Sequence, residues 1–233
     1  MDGHGYSTNL SGKRILVVEE ALKNTTGHFF EYDRAVKEAS EACGGEVIVA
    51  GHFEMEEGVR NALSATAVFP RTCWDIGFDE IGPLRRQWEI IRHNVMFYRV
   101  VKCLLNKHGP FDVVFTSTVT IYHAPAMALL ARTISKRKVG RFVSFFRNSI
   151  GEQNAAGRWR ISRIKGIIWR IVFRQLNISS QIGRTQQVTD SRRLAAEYRE
   201  LAGADLIVLP HPAMTVRSIN AARDFSHSSF VFG

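Results

Sequence analysis

Two kinds of apolar pattern alternate along this chain: short β-branched runs, and longer stretches in which apolar residues recur every three or four positions. After a polar leader, residues 1–12, the run Lys13-Arg14-Ile15-Leu16-Val17-Val18 reads as a strand buried on both faces. Gly27-His28 opens a helix on which Phe29, Tyr32, Val36, Ala39 and Cys43 follow helical spacing, with Asp33, Lys37 and Glu41 elsewhere around it. Gly44-Gly45 closes that helix, and Glu46 to Ala50 is a second buried strand. A strand, a helix and a strand this close together predict a right-handed parallel crossover.

The segment 51–83 reads as irregular apart from a strand at Thr66 to Phe69. Leu84, Trp88, Ile91, Val95, Tyr98, Val101 and Leu105 then mark a long amphipathic helix that Gly109-Pro110 ends. Strands are predicted at Asp112 to Thr116, Arg141 to Phe146, near Gln187-Val188 and at Leu206 to Leu209. Helices are predicted between them, at Ala124 to Lys136, Trp159 to Leu176 and Ser191 to Ala202. This alternation specifies an α/β fold, a Rossmann-like three-layer domain on a mostly parallel sheet of about six or seven strands, spanning residues 13–213. Residues 214–233 read as a linker followed, at Phe230 to Gly233, by the first strand of a further domain.

In open parallel sheets ligands bind outside the carboxyl ends of the strands. That rule selects Gly27 and His28, then Thr116 and Ser117, then Arg147, then Asp190 and Ser191, and finally His211 between two prolines. A glycine and a histidine at a helix start suit a sugar hydroxyl or a phosphate, with the imidazole as donor or general base. Arg147 at a strand end suits a carboxylate or phosphate, whereas Asp190 and Ser191 are equally good helix caps. The chain has no GxGxxG after its first strand, and no GxSxG, HExxH or GxxxxGK[ST], so dinucleotide, hydrolase, metalloprotease and phosphate-loop classes recede.

The three cysteines include no CxxC pair, which predicts neither a disulfide framework nor a metal site, and a cytoplasmic setting. Net charge is +9, and between Gly151 and Arg174 six basic residues face the single acid Glu152. Projected as one helix, Ile161, Ile164, Ile167, Ile168, Ile171 and Val172 gather on a face suited to the sheet. Trp159, Trp169 and Phe173 fall on the other face among Arg163, Arg170 and Arg174. Aromatics among arginines on an outer face predict contact with an anionic membrane surface, peripheral at its inner side. No nucleic-acid partner is predicted, because no recognition module is present.

The order of RILVVEEALKNTTGHFFEYDRAVKEASEACGGEVIVAGH, FDVVFTSTV, VTDSRRLAAEYREL and LIVLPHPA resembles the N-terminal domain of GT-B-fold glycosyltransferases, closest to the family-four group of retaining enzymes. The resemblance covers residues 13–213. It implies the acceptor-binding half of an enzyme that transfers sugar from a nucleotide-sugar donor to a glycan or lipid acceptor. The donor, and the residues that hold its diphosphate, belong in that family to a C-terminal domain, here expected to be missing or to be a separate donor-binding chain, so no cofactor is expected on this chain. Many relatives place a histidine just after the strand matched by Asp112 to Thr116; this chain has Thr116-Ser117 there, and His123 comes several residues later. The alternative reading is a catalytically incompetent, truncated or degenerate domain acting as a membrane- or partner-binding module.

Overall fold

Isoleucine, leucine and valine alternate across the first strand, and that alternation splits the molecule into two layers of helix around one sheet. Ile15 and Val17 pack on one side with Phe30, Tyr32 and Val59, while Leu16 and Val18 pack on the other with Phe97, Val101 and Met127. The computed structural model describes residues 9–26, 28–76, 82–154 and 157–209. Gly27, His211, all of the predicted linker, 214–233, and with it the strand expected at Phe230 to Gly233 lie outside the described residues.

In chain order the elements are β1 (Arg14–Val18), α1 (His28–Ala42), β2 (Glu46–His52), α2 (Glu57–Leu63), β3 (Thr66–Phe69), a single 3-10 turn (Cys73–Asp75), α3 (Pro83–His108), β4 (Phe111–Thr116), α4 (Ala124–Thr133), β5 (Val139–Phe145), the two-residue strands β6 (Glu152–Gln153) and β7 (Trp159–Arg160), α5 (Arg163–Gln181), β8 (Thr185–Thr189), α6 (Arg192–Ala202) and β9 (Ile207–Val208). Seven strands form a parallel sheet in the order β3-β2-β1-β4-β5-β8-β9, and β6 and β7 form a small antiparallel hairpin beside it. The chain winds outward from β1 to β3, returns through α3, and then winds the other way from β4 to β9. The order therefore reverses between β1 and β4, the switch point at which such sheets open a crevice. The predicted Rossmann-like α/β architecture is the one observed.

Two helices present faces that periodicity did not predict. The residues expected to form a helix from Trp159 instead divide into β7 and α5, and α5 buries Trp169, Val172, Phe173 and Leu176 against Phe146 and Tyr198. Of the predicted isoleucine face, Ile161, Ile168 and Val172 pack on the core, whereas Ile164, Ile167 and Ile171 point to solvent together with Ile178. Trp169 and Phe173 are therefore core residues and not membrane contacts. The physical reason is area: aromatic rings bury about 150–250 Å² each and stack on one another, so where both faces of a helix are apolar the aromatic face wins the interior. Trp169 and Phe173 lie 5.6 Å apart between ring centroids, with Phe146 5.1 Å from Phe173.

On α3 the amphipathic stripe breaks midway. Val101 and Leu105 are buried, whereas Leu84, Trp88, Ile91 and Val95 are exposed and His93 and Asn94 occupy the interior in their place. Asn94 tolerates that position because its amide is satisfied there, and His93 because its Nε2 meets the Glu20 carboxylate. Asn94 donates to the Ile121 carbonyl at 3.1 Å and accepts from the Ala126 N–H at 2.9 Å, tying α3 to the start of α4.

The orientation of α5 has a direct stability signature. Trp169→Ala and Phe173→Ala are each expected to cost about 3–5 kcal/mol in chemical denaturation. Ile167→Ser, on the outward face, is expected to change stability by less than about 0.5 kcal/mol. The reverse ranking would refute this packing.

Candidate functional site

Strand parity decides which side chains meet at the switch point. Beyond the last residue of β1, Glu19 continues the side of Ile15 and Val17 toward α1, and Glu20 continues the side of Leu16 and Val18 toward α3 and α4. The same alternation separates the predicted pair at β4: Thr116 turns toward α4, its hydroxyl on the Met127 sulfur at 3.4 Å, while Ser117 turns toward Glu19, donating to Oε2 at 3.2 Å. After β5, Arg147 lies on the α1 side, its guanidinium carbon 4.9 Å from the Tyr32 ring centroid.

A hollow of about 450 Å³ opens on that side, a size in the range of small-molecule sites, lined by His28, Phe29, Trp74, Thr118, Arg147, Asn148 and Asp190. Arg147 Nε stands 3.8 Å from Asp190 Oδ2, and its Nη1 is buried with no hydrogen-bond partner among the described residues. The loop that carries Arg147 and Asn148 is clamped by α6. Glu197 Oε1 accepts from the Ile150 and Gly151 N–H groups at 2.7 and 2.8 Å, and the Tyr198 hydroxyl donates to the Asn148 carbonyl at 2.9 Å. A second hollow of similar size lies at the amino ends of the strands, where Lys13 and Asp112 pair with each other and Arg141 with Gln186.

Beneath the crevice sit buried acids. Asp33, off the apolar stripe of α1 in sequence, is fully buried with neither carboxylate oxygen hydrogen-bonded among the described residues. Burial, and then the neighbouring Glu19 charge, raise its carboxyl well above the ordinary range; burial likewise raises Glu19. Glu20 behaves oppositely. Burial alone would raise it, but the facing imidazoles of His123 and His93 outweigh that and hold it below the usual range. His93 Nε2 lies 2.7 Å from Glu20 Oε2, the Cys73 N–H donates to Oε1 at 2.5 Å, and His123 Nε2 stands 3.0 Å from Oε1 without the alignment of a hydrogen bond.

Among the described residues, Glu20, His93 and His123 form the one group whose ligand atoms, all within 4.8 Å of one another, could hold a metal ion. The Thr120 N–H donates to His123 Nδ1 at 3.1 Å, which makes that nitrogen an acceptor and leaves the ring hydrogen on Nε2. A cation would have to displace that hydrogen, and the trio as it stands is a carboxylate surrounded by donors.

Of the predicted residues, the fold brings His28, Arg147 and Asp190 to the crevice and places Ser117 just below it. Thr116 faces the opposite layer. Ser191 caps α6, its hydroxyl accepting from the Leu194 N–H at 3.4 Å. Among the residues predicted for membrane contact, Arg163, Arg170 and Arg174 are exposed on α5, with Arg170 also donating to the Leu201 carbonyl at 3.3 Å, and Trp159 lies in β7 under the Arg193 guanidinium. Sequence reasoning missed Glu19, Glu20, Asp33 and Trp74. For the two glutamates a signal existed, because an acidic pair directly after an apolar strand stands where the strand-end rule points.

No family model matches this chain, and no curated protein matches it. Among solved structures, the glycosyltransferase SsfS6 of Streptomyces sp. SF2575 is 16% identical over 76% of this chain and 51% of its own, with a TM-score of 0.37. The glycosyltransferase SnogD of Streptomyces nogalater is 14% identical over 77% and 45%, with a TM-score of 0.34. A short-chain dehydrogenase of Streptomyces avermitilis is 15% identical over 93% and 85%, with a TM-score of 0.42. The chain thus spans about half the length of the two glycosyltransferases it is similar to, and likenesses at these scores do not choose between sugar transfer and redox chemistry.

Proposed function

We propose that this chain is the acceptor-binding half of a glycosyltransferase. The observation that carries the reading is the crevice at the switch point, where the Trp74 indole, the Arg147–Asp190 pair and His28 surround one open hollow. An indole face takes the apolar side of a sugar ring, and a guanidinium with a carboxylate offers the paired donors and acceptors that adjacent hydroxyls need. The sequence resemblance to GT-B N-terminal domains supports the same assignment. His28, at the first residue of α1, stands where a neutral imidazole would take the proton of an acceptor hydroxyl.

Donor binding is assigned to a second domain, in a longer chain or in a separate one, whose closure over this crevice would exclude water and hold the departing diphosphate. A dinucleotide reading fares worse on physical grounds. That fold places a pyrophosphate at the end of the first strand, and here Glu19 and Glu20 occupy the position with buried carboxyls and no glycine-rich turn.

Calorimetric titration of the purified chain with a panel of oligosaccharides and glycolipid headgroups tests this. Binding of at least one is expected, weakened tenfold or more, about 1.4 kcal/mol, by Arg147→Ala and by Trp74→Ala. Trp74 is exposed, so its variant separates lost contacts from lost folding. The same chain is expected to turn over no nucleotide-sugar by itself. Robust turnover by the chain alone, or a dinucleotide binding in preference to every sugar, would sink the reading.

The floor of the crevice yields a pH prediction. A carboxyl raised on folding holds its proton more tightly in the folded chain, so the stability it contributes is complete below its unfolded pKa and is lost as pH rises through the folded value. Asp33 is such a group. Asp33→Asn, which cannot ionise, is expected to melt higher than the native chain at about pH 8, with the gap closing toward about pH 4. A pH-independent gap would contradict the placement of Asp33.

A further inference from the structure

Three helices, α3, α4 and α5, lie side by side over one face of the sheet, α4 in contact with both neighbours. Their outer surface concentrates exposed apolar side chains: Leu84 is 86% exposed, Trp88 62% and Ile91 55% on α3, and Ile164 is 69%, Ile167 47% and Ile171 58% on α5. In each set the spacing is helical, so each helix carries a continuous stripe and not scattered single residues. Interleaved with the stripes are Arg85 and Arg92 on α3 and Arg163, Lys165 and Arg174 on α5, all exposed. The sole acid on the three helices is Glu89, already paired with Arg71 at 2.9 Å and with Arg92 at 3.5 Å.

We propose that this outer face of the helix layer docks on an anionic lipid bilayer. An apolar surface with cations of one sign needs a partner that offers both a hydrocarbon layer and negative charge, and an interface of acidic phospholipids offers both. A second copy of the same face would set arginine against arginine, so charge complementarity disfavours self-association through it. No described helix is long and apolar enough to cross a membrane, so the contact is one of lying on the surface. The cations Arg163 and Arg174 are among those the sequence selected, but the apolar contacts differ: isoleucines and Trp88 enter the lipid, while Trp169 and Phe173 hold α5 to the core beneath. Because α3 and α5 run antiparallel to the strands, their first turns sit at the crevice end of the sheet, and docking holds the crevice mouth beside the bilayer. The docking surface stands independently of the sugar-transfer reading, since it needs no catalysis.

The test is co-sedimentation of the full chain with vesicles of phosphatidylcholine alone and of phosphatidylcholine with an equal part of phosphatidylglycerol. Binding is expected only to the anionic vesicles, falling as salt is added. The triple variant Ile164→Ser, Ile167→Ser, Ile171→Ser should weaken it tenfold or more with melting unchanged. Arg163→Glu with Arg174→Glu should weaken it at least as much, since each basic residue near such a surface is worth about fivefold. Arg60→Glu, on α2 in the opposite layer, should leave binding as it was. Equal binding to neutral vesicles, or full anionic binding by the isoleucine variant, would overturn the proposal. So would an isoleucine variant that shifts the native chain from dimer to monomer in light scattering while no vesicle is bound, since that would make the stripe an interface between copies.

Discussion

Beneath the crevice that the switch point opens, two consecutive carboxylates leave β1 on opposite sides of the sheet. A strand sends successive side chains to opposite faces, so Glu19 must enter the α1 layer and Glu20 the layer of α3 and α4. Each is almost fully buried, and a buried carboxyl persists only if it is neutral or surrounded by donors. The two glutamates take the two different solutions. Glu19 shares its surroundings with Ser117 and Asp33, where burial favours the protonated form. Glu20 gathers His93 from α3, His123 from the start of α4 and the Cys73 backbone from the 3-10 turn, and remains ionised.

From this follows much of what lies at that end of the molecule. The Glu20 cluster fixes α3 and α4 relative to β1, and through Cys73 it fixes the turn that presents Trp74 to the crevice. It also explains why the first half of α3 turns His93 and Asn94 inward, and why the apolar residues at Leu84, Trp88 and Ile91 are left outside. An interior electrostatic requirement at β1 thereby has an exterior consequence, an apolar stripe on the surface of the same helix. Next to α5 in the same layer, α6 performs the comparable task with Glu197 and Tyr198, which hold the loop bearing Arg147.

Local sequence determined the framework. The β-branched runs at Ile15 to Val18, Val47 to Val49 and Val113 to Phe115 are strands because only a parallel sheet covered on both faces accommodates such continuous apolar segments, and short αβ spacing leaves them little choice of connection. The strand-end rule also brought His28, Arg147 and Asp190 into view, since position relative to a strand terminus is a property of the chain alone. Tertiary structure decided everything that depends on which of two faces a side chain takes. Thr116 and Ser117 are chemically alike in sequence, and a single step of strand parity sends one toward Met127 and the other toward Glu19. On α5 both faces are apolar, so no periodicity could rank them; the choice fell to the cluster of Phe146 and Tyr198, which exists only once the sheet and α6 have assembled. Periodicity places Asp33 only off the apolar stripe of α1, and the fold buries it beside Glu19 and Ser117 from the ends of strands on either side of the switch point, neighbours that no stretch of sequence contains by itself.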